Sequence, residues 1–198
     1  MTLEAEYNIR ARHPNHQSVR DGWAAASAQA KAELDWREDL RYGAAVRQTL
    51  DLFPARTTAS PFLIFIHGGY WRSNDKTNYG FIAAPVIAGG GALANINYGL
   101  APETPMGDII EHARQAVIWL HGNEAAGNPP EIHIAGHSAG GHLVAELVAT
   151  DWQAYGLPAD VIRSATAIAA KVMIAICSAS RRAITTPYSA SSRMPGRH

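Results

Sequence analysis

Apolar residues fall into two rhythms along this chain. The segment 15–34 is alanine-rich and built from good helix formers, which predicts an N-terminal helix. "DLRYG" and "RQTLDLFPA" predict two strands of a hairpin-like unit; in the second, Thr49 and Asp51 alternate with Leu50 and Leu52. Pro61 to Gly69, "PFLIFIHGG", is a continuous apolar run ending in a glycine pair, which suits a strand covered on both faces. A helix is predicted from Asp75, its N-cap, to the glycine cluster 89–91. "ALANINYGLAPE" reads as a strand followed by a turn. From Thr104, with Pro105 in the first turn, the apolar stripe Ile109, Ala113, Val117 and Leu120 has helical spacing. "EIHIAG", "AGGHLVAELVAT" and "VIRSATAIAA" then predict strand, helix and strand.

Strands alternating with helices imply βαβ crossovers, hence an α/β fold with a mostly parallel sheet and helices on both faces. The pattern fades after Ala170. "KVMIAIC" is compatible with more strand, but "SASRRAITTPYSASSRMPGRH" has no periodicity and many breakers. The expected organisation is a core over 1–170 and an irregular or disordered tail over 171–198.

Composition narrows the function classes. Apolar residues make up 47% of the 198 and charged residues 17%, enough for one buried core. A formal net charge of zero gives no electrostatic footprint for nucleic acid or an anionic membrane, so neither is expected as a partner. The single Cys177 leaves no intrachain disulfide and no C-x-x-C metal or redox site. The polar start "MTLEAEYNIRARH" lacks a secretory apolar core, and no run is long enough to span a bilayer. A cytoplasmic protein is the expectation.

Candidate chemistry sits at 136–140. Gly136-His137-Ser138-Ala139-Gly140 is a G-x-S-x-G pentapeptide between a predicted strand and a predicted helix, the setting of a nucleophile elbow. A sharp turn there lifts the Ser138 hydroxyl above the sheet. Side chains two residues either side would collide with neighbouring backbone, which explains Gly136 and Gly140. A second motif, His67-Gly68-Gly69-Tyr70-Trp71, ends the apolar strand; its glycines allow amides to turn inward as an oxyanion hole needs. His67 precedes the elbow and is read as bracing this loop rather than acting as a base.

"FIHGGYW", "NYGLAPE" and "IAGHSAGGHL", in this order, resemble the α/β-hydrolase fold. Within it they resemble the hormone-sensitive-lipase-like esterases, most closely the arylformamidase (kynurenine formamidase) branch with its H-G-G-Y-W. One departure is Gly99, where such esterases usually carry arginine. The resemblance implies a metal-free and cofactor-free serine hydrolase. Ser138 would attack an ester or N-formyl carbonyl, with Gly68, Gly69 and Ala139 supplying oxyanion amides. Tyr70 and Trp71 would line a pocket for a small ester or formamide, although ordinary core packing explains Trp71 equally well. An acid and then a histidine would follow Ser138 in the chain.

Those partners are not evident. After Ser138 the acidic residues are Glu146, Asp151 and Asp160, and the histidines are His142 and His198. His142 and Glu146 fall on the helix that follows the serine, Asp151 and Asp160 before the next strand, and His198 at the terminus. Residues 161–198 carry no acidic group, six basic residues and six serines. The expectation is a C-terminally truncated or frame-shifted hydrolase whose last strands are missing. The alternative to an active enzyme is a catalytically incomplete remnant or pseudoenzyme without the triad acid and histidine.

Overall fold

The computed structural model describes residues 15–57, 60–127, 129 and 131–169. The predicted tail at 171–198, with "KVMIAIC" and His198, lies outside them. Helix α1 (His16–Glu33) leads into strands β1 (Arg37–Arg41) and β2 (Thr49–Phe53), which pair antiparallel as the hairpin-like pattern predicts. Strand β3 (Phe62–Ile66) is followed by a 3-10 helix (Lys76–Ile82), helix α2 (Ala83–Ala88) and strand β4 (Ala92–Ile96). Helix α3 (Met106–His121), strand β5 (Ile132–His137), helix α4 (Ala139–Val148) and strand β6 (Ile162–Ile168) complete the order.

One six-stranded sheet runs β1-β2-β4-β3-β5-β6, with β4, β3, β5 and β6 parallel and β2 antiparallel to β4. The chain steps from β3 to β4 on one side, then crosses back through α3 to place β5 on the other. The carboxyl ends of β3 and β5 therefore flank the point where the winding reverses, the usual place for a ligand in an open α/β sheet.

Strand periodicity sorts the core into two layers. Leu50, Leu52, Ile64, Ile66, Ala94, Ile96, Ile132 and Ile134 face α3 and α4, meeting Ile109, Val117, Leu120, Leu143 and Leu147. Phe53, Phe65 and Leu93 point the other way, onto Tyr79, Ala83 and Ile87, with Trp23 of α1 packed alongside. Each such aliphatic side chain contributes roughly 1.5–3 kcal/mol by leaving water.

One expectation needs correction. The segment after Asp75 is not one α-helix. Asp75 does cap it, accepting from the Thr77 amide, but residues 76–82 wind as 3-10. The Phe81 amide donates to the Ser27 hydroxyl of α1, and Pro85 has no amide to give. The polar positions of β2 are enclosed along with the apolar ones. All five residues are buried, and Asp51 is wholly enclosed beneath α1 and the 3-10 helix. Its carboxylate meets Lys76 Nζ at 2.6 Å and Lys31 Nζ at 3.0 Å, while Asp39 reaches Lys76 at 2.8 Å. Burial lowers the Lys76 pKa, but the bonds to Asp39 and Asp51 outweigh it and hold the ammonium above its ordinary value.

Candidate active site

The turn from β5 into α4 holds Ser138 at φ 55° and ψ −114°, a conformation that a side-chain-bearing residue adopts only under constraint. The constraint is steric and local. A Cβ on Gly136 would sit 2.3 Å from the Gly140 carbonyl oxygen, and one on Gly140 would sit 2.0 Å from that of Ile66. Only glycine lets strand, turn and helix approach so closely. The Ser138 amide donates to Ile168 of β6 at 2.8 Å, tying the turn to the edge strand. Ser138 is half-buried rather than exposed, and α4 starts immediately after it at Ala139.

The turn after β3 lies directly against this elbow. A Cβ on Gly68 would stand 3.0 Å from Ser138 Cβ and 2.6 Å from the His137 carbonyl oxygen. The structure thus brings Gly68 against His137 and Ser138, while Gly69 packs on Ser73 and Asn74. Tyr70 and Trp71 follow at φ 54° and 56°. Tyr70 is 64% exposed at the rim, whereas Trp71 is half-buried against the core, its ring 5.2 Å from His142 and nearly perpendicular to it. Core packing thus accounts for much of Trp71.

His67 is buried and braces the loop. Its Nδ1 donates to the Gly68 carbonyl at 2.8 Å, and its ring stacks on Tyr98 at 4.4 Å. Burial pushes its pKa down to about 4, so the ring stays neutral near pH 7. Among the described residues, the amides of Gly69, Tyr70 and Ala139 meet no backbone carbonyl. The turn is backed by Arg47, which donates to the carbonyls of Tyr98 (2.9 Å) and Asn74 (3.0 Å), to Asn97 Oδ1 (3.2 Å) and to Asp75 (3.4 Å). Burial raises the Asp75 pKa, but the Thr77 amide, Asn97 and Arg47 together bring it below the usual value. Asn97 and Tyr98 open the "NYGLAPE" motif, whereas Arg47 belongs to no motif; a lone arginine in a turn carries no signal of its own.

Of the candidate acids and bases, one pair meets, His142 with Glu146. His142 Nε2 faces Glu146 across one turn of α4 at 3.5 Å. Asp151 caps the short 3-10 helix Trp152–Tyr155, and Asp160 pairs with Arg163 at 3.3 Å. Gly99, the departure in "NYGLAPE", is packed under Thr104: a Cβ there would fall 2.4 Å from its Oγ1. Among the described residues no three His, Cys, Asp or Glu side chains gather to hold a metal ion, and no helix is long and apolar enough to cross a membrane. A shallow groove of about 380 Å³, lined by Pro61, Leu63, Val86, His133 and Ser164 among others, opens at the opposite ends of β3 and β5 from Ser138.

A winding reversal at two parallel strands, with a serine elbow on one and a glycine turn on the other, defines an α/β-hydrolase. The chain belongs to the BD-FAE family, whose model matches residues 50–178. It is 32% identical over 133 residues to kynurenine formamidase of Danio rerio, covering 66% of this chain and 45% of that protein. It is 32% identical over 96 residues to the carboxylic ester hydrolase LipN of Mycobacterium tuberculosis, covering 46% and 26%. A crystal structure from Silicibacter sp. tm1040 superposes with a TM-score of 0.70 at 33% identity, covering 83% of this chain and 62% of that one. The chain spans about half the length of the kynurenine formamidases it matches.

Proposed function

We propose that this chain carries the nucleophile half of a serine hydrolase acting on small carboxylic esters or aryl-formamides. The observation that carries the reading is the contact between the two turns, Gly68 packed against a strained Ser138 at the start of α4. Ser138 Oγ adds to the carbonyl carbon, and the oxygen that gains charge is met by amides of the Gly68–Gly69 turn and of Ala139. Collapse breaks the C–O bond of an ester or the C–N bond of a formamide. The alcohol or amine leaves with a proton, and water then releases the acyl- or formyl-serine. Tyr70 at the rim offers flat apolar area to an aryl group. The relatives support both substrate classes, one set being formamidases and another ester hydrolases.

A second reading has its own observation. Beyond Ser138, the one histidine among the described residues is His142, whose ring is engaged with Trp71 and Glu146. A serine without a base reacts slowly and turns over poorly. In a comparable triad, losing the histidine alone costs about 10⁶ in kcat and leaves roughly 10³–10⁴ over water. Labelling by a fluorophosphonate, together with hydrolysis of an aryl acetate and of N-formylkynurenine, by this chain and by Ser138→Ala separates the cases. Ser138-dependent turnover supports the complete enzyme. Labelling without turnover supports the incomplete one. Equal behaviour of both chains removes Ser138 as the nucleophile.

A further inference from the structure

The "NYGLAPE" motif has no role in the chemistry described so far, yet its tyrosine holds the glycine turn from two sides. Tyr98 is fully buried, at the end of β4. Its hydroxyl donates to the His67 carbonyl at 2.8 Å, and its ring lies on the His67 imidazole at 4.4 Å and 18°. His67 in turn donates from Nδ1 to the Gly68 carbonyl, and the Gly69 carbonyl accepts from Arg72 N, Ser73 N and Ser73 Oγ at 3.0–3.1 Å. Three successive carbonyls, of His67, Gly68 and Gly69, are therefore each pinned by a named donor.

In a trans peptide the C=O and the following N–H share one plane and point in opposite directions. Pinning these carbonyls fixes the direction of the Gly68, Gly69 and Tyr70 amides. Glycine peptides rotate readily, so without such pins the Gly68–Gly69 unit has more than one accessible orientation.

We propose that Tyr98 is a positioning residue for the anion-binding turn: hydroxyl and ring together fix His67, and through it Gly68, which packs against Ser138. This rests on the serine-hydrolase reading above. Tyr98 is itself anchored, because its carbonyl accepts from Arg47 Nε at 2.9 Å. The turn is thus preset by residues from the segment just after β4 and from the β1–β2 connection before any substrate arrives.

Tyr98→Phe removes the hydroxyl and keeps the ring stack. Tyr42→Phe is the matched control: it deletes another buried tyrosine hydroxyl, one that donates to the Asn97 carbonyl without touching His67. A purely structural role makes the two variants alike. On the full chain, the ¹H–¹⁵N signals of Gly68, Gly69 and Tyr70 should shift or broaden by microsecond-to-millisecond exchange in Tyr98→Phe and stay in place in Tyr42→Phe. Fluorophosphonate labelling of Ser138 should slow about tenfold in the first variant and less than twofold in the second. Unmoved amides in Tyr98→Phe, or equal changes in both variants, overturn the proposal. If the wild-type chain is not labelled at all, the hydrolase reading fails, and the amide signals still decide whether Tyr98 orients the turn.

Discussion

The turn after β5 concentrates its strain in one residue, Ser138, and is held by close backbone packing at its two glycines: Gly136 against Gly140, four residues on, and Gly140 against the backbone of Ile66 on β3. The turn after β3 spreads positive φ over Gly69, Tyr70, Trp71 and Asn74 and is held from far away in the chain. Tyr98 and Arg47 grip its start and end, and the Ala101 amide donates to the Trp71 carbonyl at 2.7 Å. The two turns touch at Gly68 and Ser138, so one site joins a locally specified half to a remotely specified half. A local turn fails when one glycine is changed. A remote one is loosened by degrees, through many small contacts.

The largest effect should come from the local side. Gly140→Ala places a methyl 2.0 Å from the Ile66 carbonyl oxygen, and neither backbone segment is free to retreat. Urea unfolding should show a loss of about 3 kcal/mol or more, or no cooperative transition. Gly107→Ala, in α3 with nothing within 4 Å of the new methyl, should be neutral or stabilising by up to about 1 kcal/mol. Similar losses at both positions would mean that the elbow is not sterically closed.

The second effect tests the remote side through pH. His67 has a folded pKa near 4 because it is buried, against about 6.5 in an unfolded chain. Between these values the unfolded state binds the extra proton, so stability falls as pH drops from about 6.5 toward 4. The loss from His67 is on the order of 3 kcal/mol. His112 and His137 are lowered by burial as well and contribute with the same sign. Chemical denaturation at pH 7 and pH 4.5 should show that His67→Gln has a flatter pH dependence than the wild type. An unchanged slope would place the acid sensitivity elsewhere and weaken the view of His67 as a neutral brace.

What was legible in the sequence follows the same division. Period-2 and period-3.6 patterns were enough for β3, β4, β5, α3 and α4, because each buries a face set by its own residues. G-x-S-x-G announced its turn because Gly136 and Gly140 meet across four residues, although the second contact that demands Gly140, with Ile66 of β3, comes from far along the chain. The 3-10 winding at 76–82 was hidden, since it depends on Ser27 taking the Phe81 amide from 54 residues away. The burial of Asp51 was hidden for a like reason: a lone acid in an alternating strand reads as solvent-facing until Lys76 and Lys31 arrive from other elements. Of the supports of the glycine turn, Asn97 and Tyr98 stood in "NYGLAPE" with no role to read from the sequence, and Arg47, about 50 residues earlier, stood in no motif at all.

The smaller effects compare the strained residues themselves. Ser138→Gly relieves a conformation that costs about 1–3 kcal/mol, while the added freedom of an unfolded glycine takes back roughly 0.5–1. The expected net is a stabilisation of about 1 kcal/mol, or about 3 °C in Tm for a chain of this size. Ser138→Ala keeps a Cβ at φ 55° and should leave Tm unchanged. Tyr70→Gly is the counterpart in the other turn. Its φ of 54° is relieved too, and its exposed ring gives up little burial. The Gly69 carbonyl just before it nevertheless stays pinned by Arg72 and Ser73, so the turn does not relax as a unit. Relief and added chain freedom should nearly cancel, leaving a change of a few tenths of a kcal/mol. Thermal melts of the three variants test this directly. A Tyr70→Gly gain as large as that of Ser138→Gly would show that strain in the glycine turn is stored residue by residue, as in the elbow, and the contrast between the two turns would fail.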